Sequence, residues 1–382
     1  MEILTIPPAH YANYRMDVMF DGYKWDLQAG EQSTISDKVL LLEPGEAAFL
    51  AQSARDLYQE TVAMEMALQK NPALALETGI SETMTEALCA APYNPREHIR
   101  FMRFDFHPTT EGWRISEVNS DVPAGYPEAS VLPALAQVYF SGCRPYGSFG
   151  DVFKNRLGKL VPAGSTIAYV HDTHTVEDYQ ILHYLGDLME AEGYRSLYTA
   201  PEHIQWENGA AIGLGAVIRY FPVEWLEFSG AHWQPFVNAK TPACNHPVAL
   251  LTQSKRLPVV WDRLGVPVPT WEALLPETVC ASAASGDGWI LKPAFGRVGE
   301  GINIPGTLSA EEDEAIRAAA KANPSQWVAQ KMFTSAPVDG MHVSVGAFAM
   351  DGEFAGFFAR ISSAPRMDAD ASEIPILVRG DS

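Results

Sequence analysis

Residues 101–119, FMRFDFHPTTEGWRISEVN, constrain this chain more than any other stretch. Phe101 to His107 and Trp113 to Asn119 alternate apolar and polar side chains, the period of half-buried strands. Between them, Pro108-Thr-Thr-Glu-Gly112 is a run of turn formers, so the pair reads as a β-hairpin. Alternation puts Arg103 and Asp105 on one side of the first strand, and Glu117 and Asn119 on one side of the second. If the two strands share that side, two carboxylates, an amide oxygen and a guanidinium converge. Such oxygen donors suit Mg²⁺, which is commonly held by one or two carboxylates and completed by substrate phosphates. Arg103 then stands where it can neutralise a phosphoryl group. The competing reading is a solvated hairpin with a surface salt bridge, and this stretch alone does not separate the two.

Charge narrows the partners. With 27 basic against 47 acidic residues the formal net charge is −20, and there is no basic stripe to displace counterions from a nucleic acid. A nucleotide, which needs only a few local cations, is not excluded. The acidity by itself reads as solubility. At 382 residues, 47% hydrophobic and 19% charged, the chain can bury a large core in two or three lobes. Cys89, Cys143, Cys244 and Cys280 are scattered without a CxxC pair, which fits free thiols in a reducing compartment. The N-terminus lacks the basic and apolar regions of a secretory leader. The longest apolar run, Val131 to Phe140, is about half a membrane span. A cytoplasmic protein without membrane association is expected.

Along the chain, residues 1–45 are rich in aromatics and turn formers but have no clear period. Glu46 to Gln69 carries Leu50, Ala54, Leu57, Met64 and Leu68 at helical spacing, and a second helix is expected over Ser81 to Cys89. Pro127 to Phe140 reads as a helix with proline in its first turn. Strands at Thr166–Val170, Arg195–Thr199 and Ala216–Tyr220, with a helix over Val176 to Glu192, form a βαβ unit and imply a small parallel sheet. His171, Asp172 and His174 follow its first strand, where open α/β sheets place ligands, although they serve equally as a loop capping the next helix. Asn245 to Trp261 is helical in pattern with a proline interruption. Trp289 to Lys292 and Ile302 to Ile304 read as strands flanking a glycine-rich loop, Gly296-Arg297-Val298-Gly299. The loop's amides can cradle phosphates, with Arg297 and the strand-ending Lys292 adding charge, but a lone glycine-rich loop is most often a turn. Glu311 to Ala322 is helical. Trp327 to Phe333, the hairpin His342–Ala349 with Glu353–Ile361, and Ile374 to Val378 are strands. No internal repeat is present.

With these residues placed, the chain resembles the glutathionylspermidine synthase family, a circularly permuted branch of the ATP-grasp ligases. The resemblance spans nearly the whole chain. It rests on Arg103-x-Asp105, Glu117-Val-Asn119-Ser-Asp121-x-Pro123, Ser254-Lys255 through Trp261, Lys292-Pro-x-x-Gly-Arg297-x-Gly299, and Arg360. It implies an α/β, permuted ATP-grasp fold with a small Rossmann-like preATP-grasp domain. The expected division is residues 1–130 (helices and metal-binding hairpin), 131–240 (preATP-grasp-like unit) and 241–382 (nucleotide-binding lobes). By the same resemblance Asp105, Glu117 and Asn119 hold Mg²⁺, and Arg103 and Arg360 act at the transferring phosphoryl group. Lys255, Lys292, Gly296, Arg297 and Gly299 contact ATP phosphates, and Val328, Gln330 and Lys331 line the adenine pocket. For Arg360, a structural salt bridge is an equal alternative.

The implied activity is ATP- and Mg²⁺-dependent ligation of a small-molecule or peptide carboxylate to an amine through an acylphosphate, with no nucleic acid or membrane partner. No counterpart of the amidase domain of bifunctional members stands in this sequence, so product hydrolysis is not expected. The segment Ser120-Asp-Val-Pro-Ala-Gly-Tyr126 lacks those members' Ser- and Cys-bearing stretch, so glutathione and spermidine are not carried over as substrates. Two other readings stay open: a phosphotransferase on the same scaffold, and a non-catalytic relative that only binds nucleotide.

Overall fold

The computed structural model describes residues 1–25, 28–29, 32–171, 176–229, 233–297, 299–368 and 370–380. Its central element is an antiparallel sheet in the order Ser372–Ile374, Glu353–Ser362, His342–Met350, Phe101–Thr109, Gly112–Asn119. The expected hairpin is present, with longer strands and a turn reduced to Thr110-Glu111. Its first strand pairs with the strand starting at His342, so two segments remote in sequence make one floor.

One face of that floor is core. The helix Pro44–Gln69 opens with proline in its first turn, and the Glu46 carboxylate accepts the Glu43 N–H at 3.0 Å. Its Leu50, Ala54, Leu57, Met64 and Leu68 recur on one side and join Phe104, Phe106, Val345, Ala347 and Ala359 of the sheet in a single buried cluster. Burying each large apolar side chain contributes about 1.5–3 kcal/mol. Strand alternation then leaves the opposite face to Arg103, Asp105, Glu117 and Asn119.

Two buried polar groups fix the ends of the hairpin. Arg100 pairs with Glu65 of the helix at 2.7 Å and donates to the carbonyls of Phe101 and Ser120. Asn245 accepts the Phe101 N–H at 2.8 Å and donates to the carbonyls of Phe101, Ser120 and Asp121. Burying them is tolerable because both are fully hydrogen-bonded.

The expected βαβ unit is a parallel sheet ordered Ala243–Cys244, Ala216–Tyr220, Thr166–His171, Arg195–Thr199, with the helix Val176–Glu190 crossing between strands. Asp172 and His174 lie outside the described residues; His171 ends its strand 5.4 Å from the Tyr179 ring. A third sheet, Thr278–Cys280, Trp327–Lys331, Trp289–Pro293, carries Lys292. The aperiodic first 45 residues contain the helix Pro8–Phe20 and the strands Glu2–Thr5 and Lys38–Leu42, which form a fourth sheet with Ile376–Arg379 and Cys143–Arg144.

Three expectations are corrected. The helix over Pro127 to Phe140 is confined to Val131–Gln137, because the Pro127 carbonyl takes the N–H groups of Ser130, Val131 and Leu132 in a tight turn first. Asn245 to Trp261 is no α-helix but short 3₁₀ turns, Pro247–Thr252 and Leu257–Val259, with a further turn from Trp261. Pro258 has no N–H, and the Lys255 N–H leaves for the Ala294 carbonyl at 2.9 Å, so no helical ladder can run through. Ile302 to Ile304 is not a strand: the Leu291 N–H that it would pair is taken by the Asn303 side chain. Among the described residues, no helix is long and apolar enough to cross a membrane.

Candidate active site

Register sets Asp105 opposite Glu117 and Arg103 opposite Asn119. Asp105 accepts Arg103 through both oxygens, at 2.7 and 2.9 Å, and Asn119 Nδ2 at 3.0 Å. Arg103 also donates to the Ala124 carbonyl at 2.8 Å and lies over the Phe358 ring, 4.9 Å from its centre. Gly346 stands between Asp105 and Phe358 in the register. A Cβ there would come within 2.3 Å of Phe358 and 2.9 Å of the Arg103 chain, so only glycine lets the two meet. Burial disfavours the charged guanidinium, but Asp105, with Glu117 and Glu373 behind it, outweighs burial and raises its pKa.

Ser116 is a β-bulge, since pairing passes from Asp105–Glu117 directly to Phe106–Ile115. Its carbonyl accepts Lys292 Nζ at 3.3 Å, and its hydroxyl meets His107 Nε2 at 3.0 Å. Burial brings the Lys292 pKa down to about 8; Glu117 opposes that fall and Lys255 adds to it. Burial, then the Lys292 charge, depresses His107 to about 4. Lys255 spans Glu117 at 2.7 Å and the Gly296 carbonyl at 2.6 Å, tying the glycine-rich loop to the hairpin. Burial would raise the Glu117 carboxyl, but Lys255, then Lys292 and Arg103, holds it at about 2.

These groups open into a cleft of about 520 Å³ bounded by the central sheet, the Lys292 sheet and the edge of the parallel sheet. Six cationic side chains line it (Lys24, Arg103, Lys292, Arg297, Arg360 and Arg366) against five acidic ones. In a chain with nearly twice as many acids as bases, the described lining brings the two signs close to balance, with Lys24, Arg103, Arg297 and Arg366 in ion pairs. Asp105, Glu117, Asn119 and Gly299 line the same cleft. A small pocket beside it, sharing Ser116, Glu117 and Lys292, is lined by Lys255, Trp261, Trp271, Leu275 and Gln330. Gly296, Val328 and Lys331 line neither; Lys331 lies over the Trp289 ring at 4.1 Å. Arg360 sits across from Glu373 in the register and donates to the Asp368 carbonyl.

Several lining groups escaped the sequence reading. His107 shares strand parity with Arg103 and Asp105, a signal that was available. Lys24 gave none: it comes from the aperiodic N-terminal stretch and bridges Glu373 at 2.7 Å and buried Glu128 at 3.2 Å. Burial pushes the Glu128 carboxyl up to about 7 against the pull of Lys24.

A cleft over an acid-bearing antiparallel sheet, walled by a lysine-bearing sheet and a parallel α/β unit, is consistent with an ATP-grasp architecture. The chain belongs to the glutathionylspermidine synthase preATP-grasp family, whose model matches residues 8–379. Among solved structures it is similar to a glutathione synthetase-like effector from Globodera pallida, at 12% identity over 97% of both chains with a TM-score of 0.62, a likeness of fold. A putative gamma-glutamylcysteine synthetase from Methylobacillus flagellatus aligns with 79% of this chain and 86% of its own, at 12% identity and a TM-score of 0.47. A search among curated proteins found no significant match. Family and fold together make this a synthetase-like protein of ligase type.

Proposed function

We propose that the protein is an ATP- and Mg²⁺-dependent ligase that joins a carboxylate to an amine through an acylphosphate. The observation that carries this reading is the juxtaposition of Asp105–Glu117 and Arg103–Asn119 on one sheet face, with Lys255 and Lys292 reaching that face from the opposite wall. The donor set fits the cofactor. Two carboxylates and an amide oxygen make a hard but incomplete oxygen shell of the kind that phosphate oxygens complete around Mg²⁺. Asp105, Glu117 and Asn119 would hold Mg²⁺, which when bound neutralises phosphate charge and leaves positions for phosphate oxygens. One buried group suits a nucleotide. Among the described residues Gln330 Oε1, beside the small pocket, is buried without a hydrogen-bond partner, an acceptor that suits a purine amino group.

The residues then divide by task. Lys255, Lys292, Arg297 and the backbone of Gly296 and Gly299 bind the phosphates, and the strand holding Val328, Gln330 and Lys331 borders the purine. Residues 1–130 and 241–382 together make the nucleotide-binding core, with 131–240 as the preATP-grasp unit. Arg103 and Arg360 stabilise the transferring phosphoryl group, where fixed charge needs no reorganisation. A carboxylate is a poor acyl donor because its leaving group would be oxide. Once it carries the γ-phosphoryl group, the amine attacks the carbonyl carbon, the C–N bond forms, the C–O bond to phosphate breaks, and the amine loses a proton. No side-chain nucleophile is required.

The test is phosphate release from ATP and Mg²⁺ with pooled carboxylates, peptides and amines, and mass spectrometry of the products. ADP and phosphate formed only when carboxylate and amine are both present, with a dehydrated adduct, is the expected result. Phosphorylated alcohols instead would identify a phosphotransferase, and no nucleotide binding at all would overturn the reading.

A further inference from the structure

The glycine-rich loop is not left free above the cleft. Its Arg297 is drawn sideways: Nη2 lies 3.1 Å from Glu224 Oε1, and the guanidinium covers the Trp225 ring at 5.2 Å. Both partners stand in the first turn of the short helix Val223–Ser229, directly after the parallel strand Ala216–Tyr220, and Trp225 lines the cleft. Glu224 is poorly supported by its other neighbours. Its Oε2 is buried with no hydrogen-bond partner among the described residues. Asp121 repels it, and Arg219, which also favours its charge, is already engaged by both oxygens of Asp121. Burial and Asp121 push the Glu224 carboxyl up, and Arg297 is the main group opposing them.

The geometry points to Glu224 and Trp225 as positioning residues that hold Arg297 on the α/β unit, so that a triphosphate must draw Arg297 away from Glu224 in order to bind. This rests on the nucleotide reading above, and it makes Glu224 a brake on phosphate affinity rather than a ligand. The carboxylate and a phosphate compete for one guanidinium, so weakening the first strengthens the second. Trp225 adds to the tether by cation–π attraction at a half-exposed site.

The test is Glu224→Gln, which keeps shape and hydrogen bonding but removes the charge, beside Arg297→Gln and the double variant. Affinity for Mg·ATP and for inorganic tripolyphosphate is measured by calorimetry, and limited trypsin digestion follows cleavage after Arg297. Glu224→Gln is expected to tighten both ligands about fivefold or more and to speed cleavage at Arg297 without lowering the melting temperature. In the Arg297→Gln background the same substitution changes affinity less than twofold. Wild-type affinity and wild-type cleavage in Glu224→Gln would overturn the proposal. If no form binds ATP or tripolyphosphate but cleavage at Arg297 still accelerates, the nucleotide reading falls and the tether stands.

Discussion

Lys292 is a charge that the fold carries at a cost, and replacing it by methionine measures that cost. The side chain is 4% exposed, and burial brings its pKa from the ordinary 10.5 to about 8. At 1.36 kcal/mol for each tenfold change, that fall makes the charged form about 3 kcal/mol less favourable in the folded protein than in the unfolded chain. Methionine of similar length removes the penalty but leaves the Ser116 carbonyl without its 3.3 Å donor, a loss of about 1 kcal/mol. The net expectation for Lys292→Met is a stabilisation of about 2 kcal/mol, a rise of roughly 2 °C for a chain of this size.

The sign with pH follows from linkage. The folded pKa lies below the unfolded one, so between pH 8 and 10.5 the unfolded chain binds more protons and wild-type stability rises. The penalty is complete below pH 8 and gone above 10.5. Calorimetric melting of both proteins from pH 6 to 11 should therefore show a gap in favour of Lys292→Met that is widest below pH 8, vanishes by about pH 10 and reverses slightly above it, because the Ser116 hydrogen bond stays lost. ATP with Mg²⁺ should raise the wild-type melting temperature and leave that of Lys292→Met unchanged. A variant less stable than wild type at pH 7, or one still more stable than wild type at pH 11, would refute the reasoning.

Other predictions follow from the same geometry. Glu117→Ala and Asn119→Ala, whose side chains face the cleft, should abolish Mg²⁺-dependent ATP turnover with near-UV circular dichroism unchanged; unfolding instead would mark them as structural. Gly346→Ala places a methyl 2.3 Å from Phe358 and 2.9 Å from the Arg103 chain, which should cost about 1–3 kcal/mol and lower kcat more than KM as Arg103 is displaced. Arg100→Leu takes from the fully buried Glu65 its guanidinium partner and leaves it, among the described residues, the Thr252 hydroxyl at 3.3 Å, a loss of about 3–5 kcal/mol that should appear as a lower denaturation midpoint or insoluble protein.

Legibility in the sequence depended on range. Alternation across Phe101 to Asn119 needs only local information, and it located Arg103, Asp105, Glu117 and Asn119 on their strands. Lys255 has no local signature: its backbone is tied to Ala294 and its ammonium to Glu117, both remote in sequence, so it was found through the family motif. The bulge at Ser116 was invisible because it exists only relative to a partner strand. Lys24 was missed for the same reason, its carboxylate partners lying at residues 128 and 373. Where the reading misplaced structure, at Ile302 to Ile304 and Asn245 to Trp261, a side-chain hydrogen bond or a proline had replaced the backbone ladder that the apolar pattern assumed.

The floor of the cleft also fixes an order of events during synthesis. The strand Phe101–Thr109 emerges early, yet the strand that covers its inner edge begins at His342 and the one that completes the floor ends at Ile374. Until then a growing chain holds a hairpin with an open edge, and long-range pairing of this kind is slow to form. A chain interrupted before residue 360 has Asp105 and Glu117 in hand but neither Arg360 nor Glu373 to seat beside them. Such fragments have a sticky strand edge and an incomplete floor, the features on which chaperones and degradation act.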